Sequence, residues 1–212
     1  MNHFSGTEAG TWSTTIKSRL FESAEIKNRT AKECIDDILH AAETLVEAFR
    51  NGGKVLMCGN GGSAADCQHF ATELVCQLAK GAQRPALPAL ALTTDSSLIT
   101  AYSNDYEFQG IFARQVEALG QAGDVLIAIS TSGNSANVLL AVEAAKAKQL
   151  RTIALTGETG RLGAMADICI QIPSDNTQYI QEAHIAVEHI LCELIETSLF
   201  SSEVLEGTET FN

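Results

Sequence analysis

From Thr14 to Phe49 apolar residues recur at intervals of three and four, first in TTIKSRLFESAEI and again in CIDDILHAAETLVEAF. That spacing predicts two amphipathic helices, the second stopping at Asn51-Gly52-Gly53. Beyond it the pattern changes to five short runs: KVLMCG (54–59), PALAL (88–92), DVLIAIS (124–130), RTIALTG (151–157) and DICIQIP (167–173). None alternates apolar with polar, so each reads as a strand covered on both faces. Helical patterns lie between them, SAADCQHFATELVCQLA and SANVLLAVEAAKAKQ, and a last helix is predicted from about Gln178 to Leu199. Strand and helix in alternation call for a parallel sheet with right-handed crossovers. The predicted fold is α/β: a three-layer α-β-α sandwich with a five-stranded parallel sheet, N-terminal helices and a long C-terminal helix. It forms a single domain over 1–212, with a helical segment to 50, a core from 51 to 200 and a short tail.

Composition narrows what such a domain does. A chain of 212 residues with 45% apolar content can bury roughly 70% of its unfolded surface without a staple. No run of about 18 apolar residues could cross a bilayer. The N-terminus lacks the basic start and apolar core of an export signal, so the expected location is cytoplasmic. Six cysteines sit inside apolar patterns without a C-x-x-C pair, as reduced core thiols do. A formal net charge of −12 disfavours nucleic-acid partners. A small anion remains possible, because backbone N–H groups at a helix start hold phosphate whatever the distant field does.

Ligands of open parallel sheets bind where strands turn into helices at their carboxyl ends. The first such turn is CGNGGS, with Asn60, Gly61, Gly62 and Ser63; the third is ISTSGNS, with Ser130, Thr131, Ser132 and Ser135 around Gly133. Four hydroxyls about a glycine, followed by a helix N-terminus, suit a phosphate. The same residue types also make ordinary helix caps. The ISTSGNS turn matches neither a Walker loop nor the dinucleotide fingerprint.

The helix after the first turn carries His69 and Glu73 one turn apart, a pair able to hold a divalent metal or to act as base and acid. QEAHIAVEHI supplies Gln181, Glu182, His184, Glu188 and His189. Gln181 and His189 fall about 80° apart on its polar side, while His184 and Glu188 form a rival pair toward the face of Val187, Leu191 and Leu194. Spacing does not choose between them. TTDSSLITAYSNDYEF reads as a polar turn in which Asn104-Asp105 could contact sugar hydroxyls. KAKQLR (146–151) reads as a solvated helix end, and Lys54, Lys80 and Arg84 show no aromatic interleaving of the kind a nucleic-acid surface uses.

GDVLIAISTSGNSANV, CGNGGSAAD-x-QHF-x-x-EL and IQE-x-H-x-x-x-x-H together resemble the phosphoheptose (sedoheptulose-7-phosphate) isomerases of the sugar-isomerase, or SIS, superfamily, over about Asn51 to Phe200. The resemblance implies a flavodoxin-like SIS fold and a zinc ion bound by His69, Glu73, Gln181 and His189. It implies substrate contacts from Asn60, Gly61, Gly62, Ser63, Glu73, Asn104, Asp105, Ser130, Thr131, Ser132, Ser135 and Gln181. Glu73 and His189 are the implied catalytic residues, a phosphorylated seven-carbon sugar the implied substrate, and a homotetramer with sites built between subunits the implied assembly. The implied activity is an aldose-ketose isomerisation feeding heptose synthesis for lipopolysaccharide or related glycans. One departure is Gln77, where the family usually has arginine. A related branch binds the bacterial replication initiator without catalysis, and its best-known member lacks the motif glutamate that this chain keeps as Glu73. A sensor domain of a transcription regulator is disfavoured, since no basic helix-turn-helix segment precedes the domain.

Overall fold

The computed structural model describes residues 6–78 and 84–204. Lys80, the end of the third helical run and most of the tail lie outside these limits. Its elements are α1 (Gly6–Glu33), α2 (Ile35–Arg50), β1 (Val55–Cys58), α3 (Gly62–Val75), β2 (Ala89–Ala91), α4 (Ser96–Asp105), α5 (Ile111–Leu119), β3 (Val125–Ser130), α6 (Ala136–Ala147), β4 (Arg151–Thr156), α7 (Leu162–Met165), β5 (Ile168–Gln171) and α8 (Thr177–Val204). A single 3₁₀ turn, Phe108–Gly110, precedes α5.

All strand pairs are parallel and the sheet order is β2-β1-β3-β4-β5. Every residue of β1 and β3 is buried, as unalternated apolar runs require when helices cover both faces. Met57, Ile127 and Leu155 point into one apolar layer with α2, α3 and α8. Leu56, Leu126 and Ala154 point into the other, with α5, α6 and α7. The three-layer reading holds.

Two local expectations change. TTDSSLITAYSNDYEF contains a helix, α4, started by the Asp95 carboxylate accepting from the Leu98 N–H at 2.9 Å. No residue of α4 is buried, so the apolar face that announces a helix was never needed there. The first helix forms as predicted but most of its apolar pattern does not face the core: Ile16, Leu20 and Phe21 are exposed, Ile26 packs against the core, and Ser23 and Thr30 are buried. Polar contacts hold α1 instead. Tyr179 donates to Glu22 at 2.6 Å, Arg19 donates to the Tyr179 hydroxyl at 3.0 Å, and Ser23 bonds Glu182 of α8.

At the amino ends of the central strands the buried Asp124 carboxylate accepts from Lys54 N at 2.9 Å, Lys54 Nζ at 2.5 Å and Gln121 N at 2.8 Å. One side chain thus ties the start of β1 to the start of β3. Asp124→Ala leaves those donors unpaired and should cost about 3 kcal/mol. Urea unfolding checks this: the midpoint should fall with the slope unchanged, and a loss below about 1 kcal/mol would mean water replaces the carboxylate.

Candidate active site

Strand order reverses between β1 and β3, so α3 leaves toward one face of the sheet and α6 toward the other, opening a crevice at the carboxyl ends. Asn60, after β1, and Asn137, in the first turn of α6, bridge it with paired amides: Asn60 Nδ2 donates to Asn137 Oδ1 at 2.9 Å, and Asn137 Nδ2 donates to Asn60 Oδ1 at 2.8 Å. Asn137 was not singled out from the sequence. Its only signal there is a polar residue inside the apolar start of a helix.

The turn after β3 is compact and rich in hydroxyls. Ser130 Oγ lies 3.0 Å from Ser135 Oγ and 3.5 Å from Ser132 Oγ. Gly133 has φ +61°, and a Cβ there would lie 2.4 Å from Thr159 O, so only glycine lets the loop fold this tightly. Ser135 holds the N-cap position of α6 yet its side chain makes no capping bond. The Ser135 hydroxyl pairs with Ser130 and leaves the start of α6 without a side-chain cap.

The histidines belong to the other crossover. α3 packs against α8 within one chain, and His69 Nε2 lies 2.7 Å from His189 Nε2, the rings meeting edge to face. Glu73 Oε1 lies 3.9 Å from His69 Nδ1, on the far side of that ring. The Gln181 amide lies across the start of α3, where a Cβ on Gly62 would come within 2.0 Å of Gln181 Nε2. Gln181 also hydrogen-bonds Asp66, whose carboxyl is pushed up by burial and drawn back by that bond and by His69. Asp66 and Gln181 line a cleft of about 540 Å³ with Gln178, Glu182 and Ile185.

Asn104 and Asp105 stand exposed at the end of α4, where Asn104 Nδ2 donates to Asp105 Oδ1 at 2.9 Å. They are not joined to either loop. Gln77 is exposed just beyond α3.

For a divalent metal the donor chemistry is suitable, with two imidazoles, a carboxylate and an amide oxygen, and two nitrogens already converge. Tetrahedral zinc with Zn–N near 2.0–2.1 Å needs about 3.3 Å between them, a small opening. Among the described residues, however, no group of three or more His, Cys, Asp or Glu is arranged around one point. The histidine pair fits; Glu73 faces the other nitrogen of His69 and must turn to join it.

His184 and Glu188 are completely buried. His184 Nε2 faces Thr156 O at 3.4 Å, while His184 Nδ1, both Glu188 oxygens and one Asp66 oxygen have no hydrogen-bond partner. Burial holds His184 down at about 4, against the pull of the Thr156 carbonyl. Burial, and then Asp66, push Glu188 up to about 8. The rival pair is thus an interior pair and not a second surface ligand set.

Comparison with known proteins shows the family to which the chain belongs. The SIS domain family matches residues 21–157, and the chain belongs to that family of sugar-phosphate folds. Within it, the chain belongs with the phosphoheptose isomerases. It is 51% identical to the phosphoheptose isomerase of Roseiflexus sp. (strain RS-1) over 84% of this chain and 90% of that one. It is 48% identical to that of Methylibium petroleiphilum over 90% and 96%. The structure of phosphoheptose isomerase GmhA from Neisseria gonorrhoeae superposes with a TM-score of 0.82 at 44% identity, covering 88% of this chain and 99% of that one.

The interior pair sets a pH dependence in metal-free protein. His184 binds its proton less readily folded than unfolded, so stability rises with pH between about 4 and 6.5; Glu188 binds its proton more readily folded, so stability falls with pH between 4.5 and about 8. The two oppose each other up to pH 6.5, and above it only Glu188 acts. Stability from urea curves should decline from pH 6.5 to 8 in the parent and stay level in Glu188→Gln. A level parent would show that the carboxyl is hydrated and charged.

Proposed function

We propose that this chain is a phosphoheptose isomerase that interconverts sedoheptulose 7-phosphate and D-glycero-D-manno-heptose 7-phosphate. The observation that carries this reading is the joint placement of a serine-rich anion cradle on one crossover and a carboxylate beside paired imidazoles on the other. Moving a carbonyl from C2 to C1 requires removing a proton from C1, holding an enediolate, and returning a proton to C2. Ser130, Thr131, Ser132 and Ser135, with the uncapped start of α6, hold the phosphate at one end of the sugar. Glu73 is the base for the carbon-bound proton. His189, paired with His69, moves protons between the oxygens. Asn60 is placed by Asn137 to contact the chain of hydroxyls, and Gln181 reaches the same end of α3.

His69, Glu73, Gln181 and His189 would hold the zinc ion, which supplies Lewis-acid stabilisation of the developing oxyanion when bound. Asn104 and Asp105 complete the sugar site from outside the crevice wall, and the exposed apolar row of α1 supports assembly into a homotetramer. Among the described residues no helix is long and apolar enough to cross a membrane.

Turnover of sedoheptulose 7-phosphate by purified protein tests the reading. Glu73→Gln preserves volume and should lose more than nine-tenths of kcat while still binding the sugar phosphate. Ser132→Ala should instead weaken binding by about 1.5 to 3 kcal/mol for a charge-assisted bond. If Glu73→Gln retains a tenth or more of parental turnover, another residue is the base.

The ligand set has a separate check by zinc titration. His189→Ala should abolish tight binding, whereas the interior His184→Ala should weaken it by no more than about 10- to 100-fold. Parental affinity in His189→Ala would remove that residue from the set.

A further inference from the structure

The inference rests on Glu73 being the base. α3 ends at Val75 with its last carbonyls facing inward, and the Arg84 guanidinium occupies that end. Nη2 donates to Glu73 O at 2.7 Å and Nη1 to Leu74 O at 2.9 Å. Nε donates to Glu196 Oε1 on α8 at 2.7 Å, and the same oxygen accepts the Leu78 N–H at 3.0 Å. The arginine side chain is 2% exposed and the glutamate 12%. Phe200 covers the guanidinium, 5.8 Å from its ring centroid. Burial first, and then Glu73, Glu196 and Glu188, push the Cys192 thiol of α8 up, against the pull of Arg84.

We propose that Arg84 is a positioning residue: by bonding the Glu73 carbonyl and the α8 carboxylate at once, it fixes the base on α3 relative to His189 on α8. The partial negative charge at the helix end favours a cation there, and only a guanidinium supplies donors in three fixed directions. A lysine could replace the charge but not the fork. The phosphate cradle lies on the other crossover and does not depend on this contact, so the two functions should separate.

Arg84→Lys, Arg84→Ala and Glu196→Gln, made in the full chain, test the proposal. Both Arg84 variants should lose about 10- to 100-fold in kcat, as a small misplacement of a reacting group costs, with KM for sugar phosphate nearly unchanged. Added guanidinium ion should restore part of the kcat of Arg84→Ala and leave the parent unaffected. Glu196→Gln keeps an acceptor for Arg84 Nε and should remain close to parental. Parental kcat in a folded Arg84 variant overturns the proposal, as does a loss confined to KM. Arg84→Lys serves where Arg84→Ala fails to fold. A readout free of turnover is the imidazole ¹⁵N shifts of His69 and His189, which should move in both Arg84 variants and not in Glu196→Gln. Absence of turnover in the parent would sink the function reading alone; unmoved imidazole signals would sink the clamp alone.

Discussion

A parallel sheet that reverses its strand order must send neighbouring crossovers to opposite faces, and everything at this site follows from that constraint. Because α3 and α6 diverge, their first turns stand side by side with unsatisfied N–H groups facing a common gap. The Asn60–Asn137 amide pair spans the gap and sets its width. On the proposed reading the phosphate meets backbone and hydroxyl donors at this end, which reconciles a chain of net charge −12 with a phosphorylated ligand. The arginine next in line, Arg84, is already committed to a helix end and to Glu196.

Chemistry and binding are divided between the two crossovers. On the proposed reading the β3–α6 side, with its serines and backbone donors, recognises a charge that does not change during the reaction. The α3–α8 side carries His69, Glu73 and His189 above an apolar layer of Phe70, Leu74, Val187 and Leu191. Beside that layer the chain buries Glu188 and His184 without full hydrogen bonding. Such groups cost stability in a low-dielectric interior, so the middle of α8 gains nothing from this polar pair and rests on the packing around it.

Much of this was legible from the chain. All five strands fall within the runs marked by unalternated apolar residues, since burial on both faces leaves a signal that needs no knowledge of partners. His69 and Glu73 were legible because one helical turn relates them. The pairing of His69 with His189 was not, because 120 residues separate them and periodicity carries no information across that distance; the resemblance supplied it. Asn137 and Asp66 escaped notice for the same reason, each acquiring its role from a contact made by tertiary packing, and Arg84, noticed only as a cation without aromatic interleaving, is instead buried and paired with Glu196. The helix α4 escaped because none of its residues is buried, and α1 was read as core-facing because periodicity reports an apolar stripe without saying what covers it.

The polar attachment of α1 gives the site an uneven rigidity. Tyr179 and Glu182, bonded to Arg19, Glu22 and Ser23, flank Gln181 on the first turns of α8, whereas His189 lies two turns further on against α3. Helices with few buried apolar contacts open at low free energy, and α1 is such a helix. Local opening of α1 therefore loosens the turn of α8 that carries Gln181 before it reaches the imidazole pair. The two ends of this face of α8 are thus held unequally, the Gln181 end by polar bonds to a peripheral helix and the His189 end against α3.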